Sequence, residues 1–211
     1  MTELDGRKVR GQRSREAILE QAVTLASIEG LEGLTLGRLA GVTGLSKSGF
    51  FAHWQSKEQL QLDAVAWAER QWIEWIVSPA LAQPKGVRRL FALHEARLRF
   101  YDAGVLPGGC FFVAVQAEFD DRPGPVQARV VEAARAWTTL IERLATEAVA
   151  LGELDEHTDV PQLAYELDAL GVAVISRSRL LEDKASSQLS RQAVLHRLRS
   201  LCPDPQLLPE N

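Results

Sequence analysis

The residues best suited to chemistry form a short tip, Lys47-Ser48-Gly49, and the chemistry they suit is recognition. Lysine and serine donate hydrogen bonds to phosphates and base edges, and small side chains let a backbone approach a nucleic acid closely. A bulky run, FFAHW at residues 50–54, follows directly. If the segment is helical, Gly49 costs it about 1 kcal/mol relative to alanine. Close approach to a partner is the expected compensation.

Residue patterns typical of catalysis are absent from the sequence. It contains no nucleophile elbow, no HExxH motif, no glycine-rich phosphate loop and no plausible histidine dyad. Cys110 and Cys202 lie far apart without a CxxC, which argues against a disulfide scaffold and a structural zinc site. We predict that the chain is not an enzyme and needs no metal or cofactor. Cys110 is expected to be a small buried residue, with a redox-sensing thiol as the alternative.

The charge of the chain is unevenly distributed. The formal net charge is −4, yet the first 60 residues hold eight Lys and Arg against seven Asp and Glu. Five of these bases are clustered near the N-terminus: Arg7, Lys8, Arg10, Arg13 and Arg15. The cluster is either a solvated tail or a basic arm in front of a DNA-binding module. With no apolar N-terminal stretch and no run of 18 apolar residues, we expect a cytoplasmic protein without a membrane span.

Helical periodicity extends along the whole sequence, so the fold class predicted is all-α. A first helix is expected to be capped near Ser14 and to end near Gly30, and Asp159 is expected to cap one of the later helices. The other predicted helices span residues 36–43, a short segment after Ser46, a segment from Ser56 to about 77, and residues 87–103, 110–119, 126–151, 161–181 and 189–201.

The second and third helices have the spacing of a helix-turn-helix. Counting from Leu36 as the first residue, Ala40 is fifth, Gly44 ninth and Phe50 fifteenth. The fifth residue must be small because the two helices cross there. The ninth must allow the chain to turn between the helices, and the side chain of the fifteenth must pack in the core to anchor the second helix. In this frame Phe50 and Trp54 face inward. The tip is then on the exposed first turn of the recognition helix, which enters the major groove.

The segment TLGRLAGVTGLSKSGFFAHWQSKEQL and the helix before it resemble the DNA-binding domain of the TetR family of bacterial repressors. The resemblance spans residues 14–60 without a gap, and PGGCFFVAVQAEFDDRPGPV at residues 107–126 resembles the C-terminal domain of one subgroup. It implies a helix-turn-helix DNA-binding domain at residues 1–57, which includes the basic arm, and a helical ligand-binding and dimerisation domain at 58–204. The last residues, 205–211, are expected to form a loose tail.

The resemblance also implies which residues contact DNA. The tip, Lys47-Ser48-Gly49, would face bases or nearby phosphates. Thr35, His53 and Lys57 would approach the sugar-phosphate backbone. Phe51 replaces the tyrosine usual in the family, so it lacks the hydroxyl that contacts phosphate and would pack against sugar or protein. The alternative for His53 is a satisfied histidine at a helix end, and for Lys57 a solvated lysine. The predicted DNA-binding residues are Arg13, Thr35, Lys47, Ser48, Gly49, Phe51, His53 and Lys57.

Two apolar seams in the C-terminal half suggest a dimer interface. In each seam apolar residues recur at spacings of three and four, and small residues lie alongside the second seam. The two helices that carry these seams, one pair from each of two subunits, could form a four-helix interface. Packing inside one subunit is the alternative. The predicted interface residues are Val130, Trp137, Leu163, Leu167, Leu170, Gly171, Val174 and Ser178.

The C-terminal half is also rich in aromatic residues. They could line an apolar cavity with a few polar groups, although each of them taken alone is more often part of a core. The predicted ligand-binding residues are Trp67, Trp72, Trp75, His94, Phe100, Tyr101, Phe111, Phe112 and Trp137.

These patterns lead to one functional hypothesis and two alternatives. The hypothesis is a transcriptional repressor that binds a palindromic operator in double-stranded DNA as a homodimer, with recognition helices about 34–36 Å apart. A small, largely apolar effector would release it from the DNA. The alternatives are a helical enzyme acting on a hydrophobic molecule and a helical module that binds another protein.

Overall fold

A computed structural model describes residues 3–44 and 46–210, except for the side chains of residues 3–8, Arg10 and Lys47. Every regular element in this part of the chain is helical, which confirms the all-α prediction. The helices are α1 (Glu3–Glu29), α2 (Leu36–Thr43), α3 (Lys47–Phe51), α4 (Lys57–Trp72), α5 (Ser78–Leu81), α6 (Val87–Asp102), α7 (Phe111–Phe119), α8 (Pro125–Ala150), α9 (Val160–Leu180) and α10 (Ser186–Leu201). A π-helical turn, Ile73–Val77, joins α4 to α5, and a 3₁₀ turn, Pro205–Leu207, follows α10.

Helix α1 is longer than the sequence pattern predicted. It begins at Glu3, so Ser14 is an interior residue and not its cap. Residues 3–13 contain no proline, and six of the eleven are Glu, Lys, Arg or Gln, which favour helix. Gly6 and Gly11 weaken the helix without ending it, so nothing forces a start at Ser14. The buried residues of α1 form one largely apolar face: Ile18, Leu19, Ala22, Val23 and Ala26, with Ser27 beside them.

The chain separates by contact into two units, and the separation differs from the predicted boundary at residue 57. The first unit contains the described chain up to Arg70 and Leu106–Glu132, and the second contains Gln71–Val105 and the chain from Ala133. Helix α7 therefore belongs with the helix-turn-helix by contact, although the sequence placed it in the C-terminal domain. The boundary at 57 remains a prediction about the family's modules.

In the first unit, α1 packs against α2 on one side and α7 on another. The α1–α7 contact includes polar bonds: the Glu118 carboxylate accepts hydrogen bonds from the backbone N–H groups of Leu31 (2.6 Å) and Glu32 (2.8 Å). Gly108, ahead of α7, donates its N–H to Ser27 Oγ at 3.0 Å. The helix that carries the recognition module is thereby fixed at its C-terminal end.

Helix α6 is the centre of the second unit. Helices α5, α9 and α10 and the π-helical turn pack around it, and most of its residues are buried. Ten of its sixteen residues are buried, and its exposed face carries charged residues, so α6 contributes one broad face to the core of this unit. Its N-terminus is satisfied by Glu153, whose carboxylate accepts the Val87 N–H at 2.8 Å.

The predicted loose tail makes contacts in its described part, up to Glu210. Leu208 is buried, and the side chain of Asp204 caps the 3₁₀ turn by accepting the Gln206 N–H at 3.0 Å. The Glu210 carbonyl accepts a hydrogen bond from Arg199 at 2.8 Å. One buried apolar residue and the hydrogen bond from Arg199 hold the described part of the tail against its unit. Residue 211 lies outside the described residues.

Candidate functional site

The caps and turn of the predicted helix-turn-helix are all present. Thr35 Oγ1 accepts the Arg38 N–H at 3.2 Å and so caps α2, and Ser46 Oγ accepts the Gly49 N–H at 3.1 Å and caps α3. Gly44 follows α2 in the left-handed conformation (φ 68°), which glycine adopts without strain. These three local features place the tip on the first turn of α3, as the sequence predicted.

The bulky residues behind the tip form the scaffold of α3. Phe50 and Trp54 are buried, as predicted. The Trp54 indole donates to Asp63 at 2.7 Å, and Asp63 also forms an ion pair with Arg15, whose guanidinium lies 5.3 Å from the Trp54 ring centre. Arg15 was counted in the basic arm. Its charge is instead used inside the protein to fix α4 against α1.

The outward residues of the module present both polar and apolar groups. Ser48 is exposed, and its hydroxyl lies 3.0 Å from that of Ser46, while Gly49 is half-buried. Phe51 is 50% exposed and contacts Phe50 edge-on. Half-buried His53 lies 5.4 Å from the Trp54 ring. The Lys47 side chain lies outside the described part of the structure, so only its position at the start of α3 is known.

Lys57 has partners within the protein. Its ammonium donates to the Glu32 carbonyl at 2.8 Å and pairs with the Glu32 carboxylate at 3.0 Å. The hydrogen bond from Lys57 is the main cause that lowers the pKa of Glu32. Ser56 caps α4 by accepting the Gln59 N–H at 3.1 Å. Gln59 accepts the N–H of Gln55 at 2.9 Å, one residue before the Ser56 N–H that a full capping box would use. Lys57 thus connects α4 to the α1–α2 turn.

The remaining predicted DNA contacts are distributed around this module. Arg13 and Thr35 are exposed. The side chains of Arg7, Lys8 and Arg10, the other bases of the predicted arm, lie outside the described residues, while the backbone there belongs to α1. The arm is therefore helical along its course and continuous with α1.

The predicted ligand-binding aromatics do not form one group. Trp67, Phe111 and Phe112 belong to the first unit, and the others belong to the second. In the second unit the Trp72 ring lies 5.8 Å from Phe100, 6.5 Å from Tyr101 and 5.1 Å from Trp137. Trp75 contacts Phe100 at 6.4 Å but is 48% exposed. Phe100, Tyr101 and Phe111 are buried and serve as core, the alternative that the sequence left open.

A buried arginine that the sequence analysis missed lies among these rings. Arg97 lies between the rings of Trp72, Tyr101 and Trp137, with its guanidinium carbon 5.8, 5.8 and 5.4 Å from their centres. Its Nε donates to the Tyr101 hydroxyl at 2.7 Å, and its Nη1 pairs with Asp168 at 2.9 Å. The Trp137 indole donates to the same Asp168 oxygen at 2.8 Å. Nothing in the sequence distinguished Arg97 from the neighbouring surface arginines of α6.

Arg97 and His94 border a small cavity within the second unit. Its apolar wall consists of Leu90, Leu93, Trp137, Ile141 and Leu167. The cavity has a volume of ≈ 10 Å³, which is enough for about one water molecule. This volume is far below that of a ligand-binding pocket. His94 was predicted as a ligand contact, and here it lines the cavity.

His94 is held in its neutral form. Burial, and then the charge of Arg97, lower the pKa of His94 to about 3. Ser190 donates its hydroxyl proton to the Leu170 carbonyl at 2.9 Å, so its oxygen accepts from His94 Nε2 at 3.1 Å. The neutral ring therefore carries its proton on Nε2.

Most of the predicted dimer-interface residues are core residues of a single chain. Val130, Leu163, Leu167, Gly171 and Val174 are buried with no second chain present, which is the alternative of packing inside one subunit. Trp137 and Leu170 are half-buried, and Ser178 is exposed. A Cβ on Gly171 would lie 2.2 Å from Arg97 Nη1, so this glycine makes room for Arg97 and does not serve a helix of another subunit. The apolar seam is real, but α6 and α10 cover it.

Two classes of site are not found within the described ranges. Residues 3–44 and 46–210 contain no group of three or more His, Cys, Asp or Glu side chains arranged to hold a metal ion. None of the helices in that same part of the chain is long and apolar enough to span a membrane.

Family models match both halves of the chain. A model described as "Bacterial regulatory proteins, tetR family" matches residues 18–64, and one described as "Tetracyclin repressor-like, C-terminal domain" matches residues 86–194. None of the curated proteins matches the sequence.

Solved structures of similar fold cover nearly the whole chain. A TetR transcriptional regulator from Chloroflexus aurantiacus J-10-FL is 25% identical with a TM-score of 0.84, covering 92% of this chain and 98% of its own. A TetR-family regulator from Cytophaga hutchinsonii is 19% identical with a TM-score of 0.79 and the same coverage. AibR, solved in complex with isovaleryl coenzyme A and operator DNA, is 19% identical with a TM-score of 0.70, covering 90% and 98%.

Proposed function

Because the chain belongs to the TetR family of bacterial transcriptional regulators, which are not enzymes, we propose that it represses transcription as a homodimer on a palindromic operator. A small, largely apolar effector would release it from the DNA. The observation that supports DNA recognition most directly is the exposed Ser48 in front of the buried Phe50 and Trp54. The same family assignment excludes the alternative of a helical enzyme.

The recognition mechanism we propose uses the tip for bases and the surrounding residues for phosphates. Helix α3 is capped by Ser46 and anchored in the core by buried Phe50, so its first turn faces solvent. Lys47 and Ser48 would then donate to base edges or phosphates, and Gly49 would allow close approach. Exposed Phe51 would pack against sugar, while Arg13, Thr35 and His53 would approach the backbone. For Lys57 we propose a smaller contribution, because its ammonium already has two partners on Glu32.

For the dimer we propose a different face of α9 from the one that the sequence suggested. Tyr165 and Leu180 are 70% and 82% exposed. Ala169, Ala173 and Ser176 lie exposed between them at helical spacing, so these five residues form one stripe. Large apolar residues at both ends of a flat stripe are suited to close packing with a second copy of the helix.

Effector release would follow from differential affinity. A ligand that binds one arrangement of the second unit better than another shifts the population towards it, by no more than that difference in affinity. AibR, solved in complex with isovaleryl coenzyme A and operator DNA, supports the idea that a protein of this fold can bind both a small molecule and DNA. In a dimer, a small change in the separation of the two recognition helices would weaken both half-sites.

The DNA model predicts that Lys47→Ala weakens operator binding roughly tenfold without unfolding the protein, because one charged hydrogen-bond donor is lost. The measurement is a gel-shift titration with the DNA upstream of the protein's own gene, after footprinting has located the protected palindrome. Lys85→Ala is the matched control, since Lys85 is 68% exposed and belongs to the second unit.

Two results would contradict the DNA model. Equal affinities for wild type and Lys47→Ala would remove Lys47 from recognition. An operator affinity that does not fall with added salt would reject phosphate contacts altogether, since neutralising phosphates releases counterions. A protein partner without any protected DNA would favour the interaction module.

The dimer model predicts that Ala173→Glu converts the protein to a monomer. Two copies of the charge would be buried opposite each other at the centre of the α9 stripe, which a symmetric interface cannot accommodate. Light scattering should show the mass of two chains for wild type and of one chain for the variant. Ala82→Glu, also at an exposed alanine of the second unit, should remain dimeric. A dimeric Ala173→Glu would place the interface elsewhere.

A further inference from the structure

The cavity beside Arg97 has an electrostatic character that defines a class of ligand. Of the seven residues that line it, five are apolar or aromatic, His94 is neutral, and Arg97 carries a charge. Arg97 is 4% exposed at its side chain, so its charge is poorly screened by water. Arg97 is charged and the other six lining residues are not, so once Asp168 has moved away the cavity would favour a negative group over a cation.

The carboxylate that balances Arg97 is placed so that it can be replaced. Asp168 does not line the cavity, and its side chain is 34% exposed, in contrast to its buried partner. It could therefore move towards solvent without being buried alone. Arg97 is less free to move, because its Nε donates to the Tyr101 hydroxyl at 2.7 Å and three aromatic rings surround it.

We propose that this cavity is the effector site and that the effector is an organic carboxylate with a compact apolar body. Its carboxylate would accept the Arg97 Nη1 hydrogen bond in place of Asp168, and its body would contact Leu90, Ile141 and Leu167. This inference rests on the proposed function, because a regulator of this kind needs an effector. It goes further by naming the chemical class of that effector.

The exchange also explains how a cavity with room for one water could open. Trp137 covers part of the cavity, and its indole donates to the same Asp168 oxygen at 2.8 Å. A carboxylate that displaces Asp168 would release Trp137 as well as take over Arg97. Trp137 lies on α8 and Asp168 on α9, so the ligand would break a polar link between two helices of the second unit. Chemical recognition and conformational change would then be one event.

The test compares probes that share a skeleton and differ in charge. Phenylpropionate, phenylpropionamide and phenylpropylamine, with benzoate and hexanoate as other carboxylate bodies, are titrated into the full chain without DNA. Binding is followed by tryptophan fluorescence, because Trp72 and Trp137 flank Arg97, and by thermal shift. We expect the best carboxylate to bind at least about tenfold more tightly than its amide, and the amine not to bind.

A variant of Asp168 separates ligand recognition from a merely structural role. Asp168→Ala removes the internal competitor, so it should bind carboxylates about tenfold more tightly than wild type, although it is less stable without them. Glu166→Ala is the matched control, since Glu166 is on the same helix and pairs with Arg197 at 2.6 Å. Its carboxylate affinity should equal that of wild type. If Asp168→Ala does not fold, the comparison of acid and amide on wild type decides alone.

The outcomes for this inference and for the proposed function are distinct. Equal binding of acid and amide, an unchanged carboxylate affinity in Asp168→Ala, or no binding of any carboxylate to wild type and Asp168→Ala would overturn the inference. None of these would affect operator protection, which tests the proposed function. Carboxylate binding without any protected DNA would reject the repressor and leave the ligand class standing.

Discussion

Replacing Gly108 with alanine should destabilise the protein by about 3 kcal/mol, because the added methyl group has no place to go. A Cβ at this position would lie 1.7 Å from the Ser27 carbonyl oxygen and 2.1 Å from its carbon. Both atoms belong to the backbone of α1, so no side-chain rotation can relieve the contact. Moving the loop away would also break the bond between the buried Gly108 N–H and Ser27 Oγ.

The effect is measured by chemical and thermal unfolding. For a chain of this size the melting temperature should fall by roughly 6–12 °C. Gly41→Ala is the control: a Cβ there meets nothing within 4 Å, and its place inside α2 should make alanine stabilising by up to about 1 kcal/mol. A Gly108→Ala protein as stable as wild type would mean that the segment before α7 does not rest on α1.

Lowering the pH from 7 to 5 should cost the wild-type protein about 2 kcal/mol more than it costs a His94→Gln variant. The pKa of His94 is about 3 in the folded protein, chiefly because of burial, against 6.5 for the free side chain. Between pH 6.5 and about 3, His94 is protonated in the unfolded chain but stays neutral in the folded protein. The contribution of neutral His94 to the free energy of unfolding is therefore fully present above pH 6.5. It is lost at about 1.4 kcal/mol per pH unit as the pH falls from 6.5 towards 3.

The measurement is the free energy of unfolding in denaturant at several pH values, for wild type and His94→Gln. Glutamine is neutral throughout and keeps an amide donor for Ser190. His157→Gln, at an exposed histidine, should retain the wild-type slope. Identical slopes for wild type and His94→Gln would show that His94 takes up its proton without unfolding, and that the cavity beside Arg97 tolerates a second positive charge.

The helix-turn-helix could be predicted in detail because its determinants are local. The caps at Thr35 and Ser46 are bonds to residues three positions along the chain, and Gly44 satisfies a turn by its own backbone freedom. The Asp159 cap of α9 was predicted for the same reason and is present, with the Gln162 N–H at 3.0 Å. Where both partners lie within one helical turn, the sequence contains the whole interaction.

The predicted dimer seam shows where such reasoning ends. The periodicity of Leu163, Leu167 and Val174 identified a buried face of α9 correctly but could not distinguish a partner helix in the same subunit from one in a second subunit. Hydrophobic burial has no direction, so the same pattern serves α6 and α10 of one subunit as well as a helix of another. Gly171 was likewise predicted to allow close packing of two helices. In the structure the space beside it is occupied by the Arg97 side chain of α6.

The sequence by itself therefore determined the fold class, most of the helices, the module that carries the recognition tip and the family. Only the tertiary structure decided the charged contacts: Lys57 on Glu32, Arg15 on Asp63, and Arg97 with Asp168 beside a neutral His94. Their partners are separated by 25, 48 and 71 positions in the chain. No local pattern encodes which of many similar charges meet, because that depends on how the helices pack.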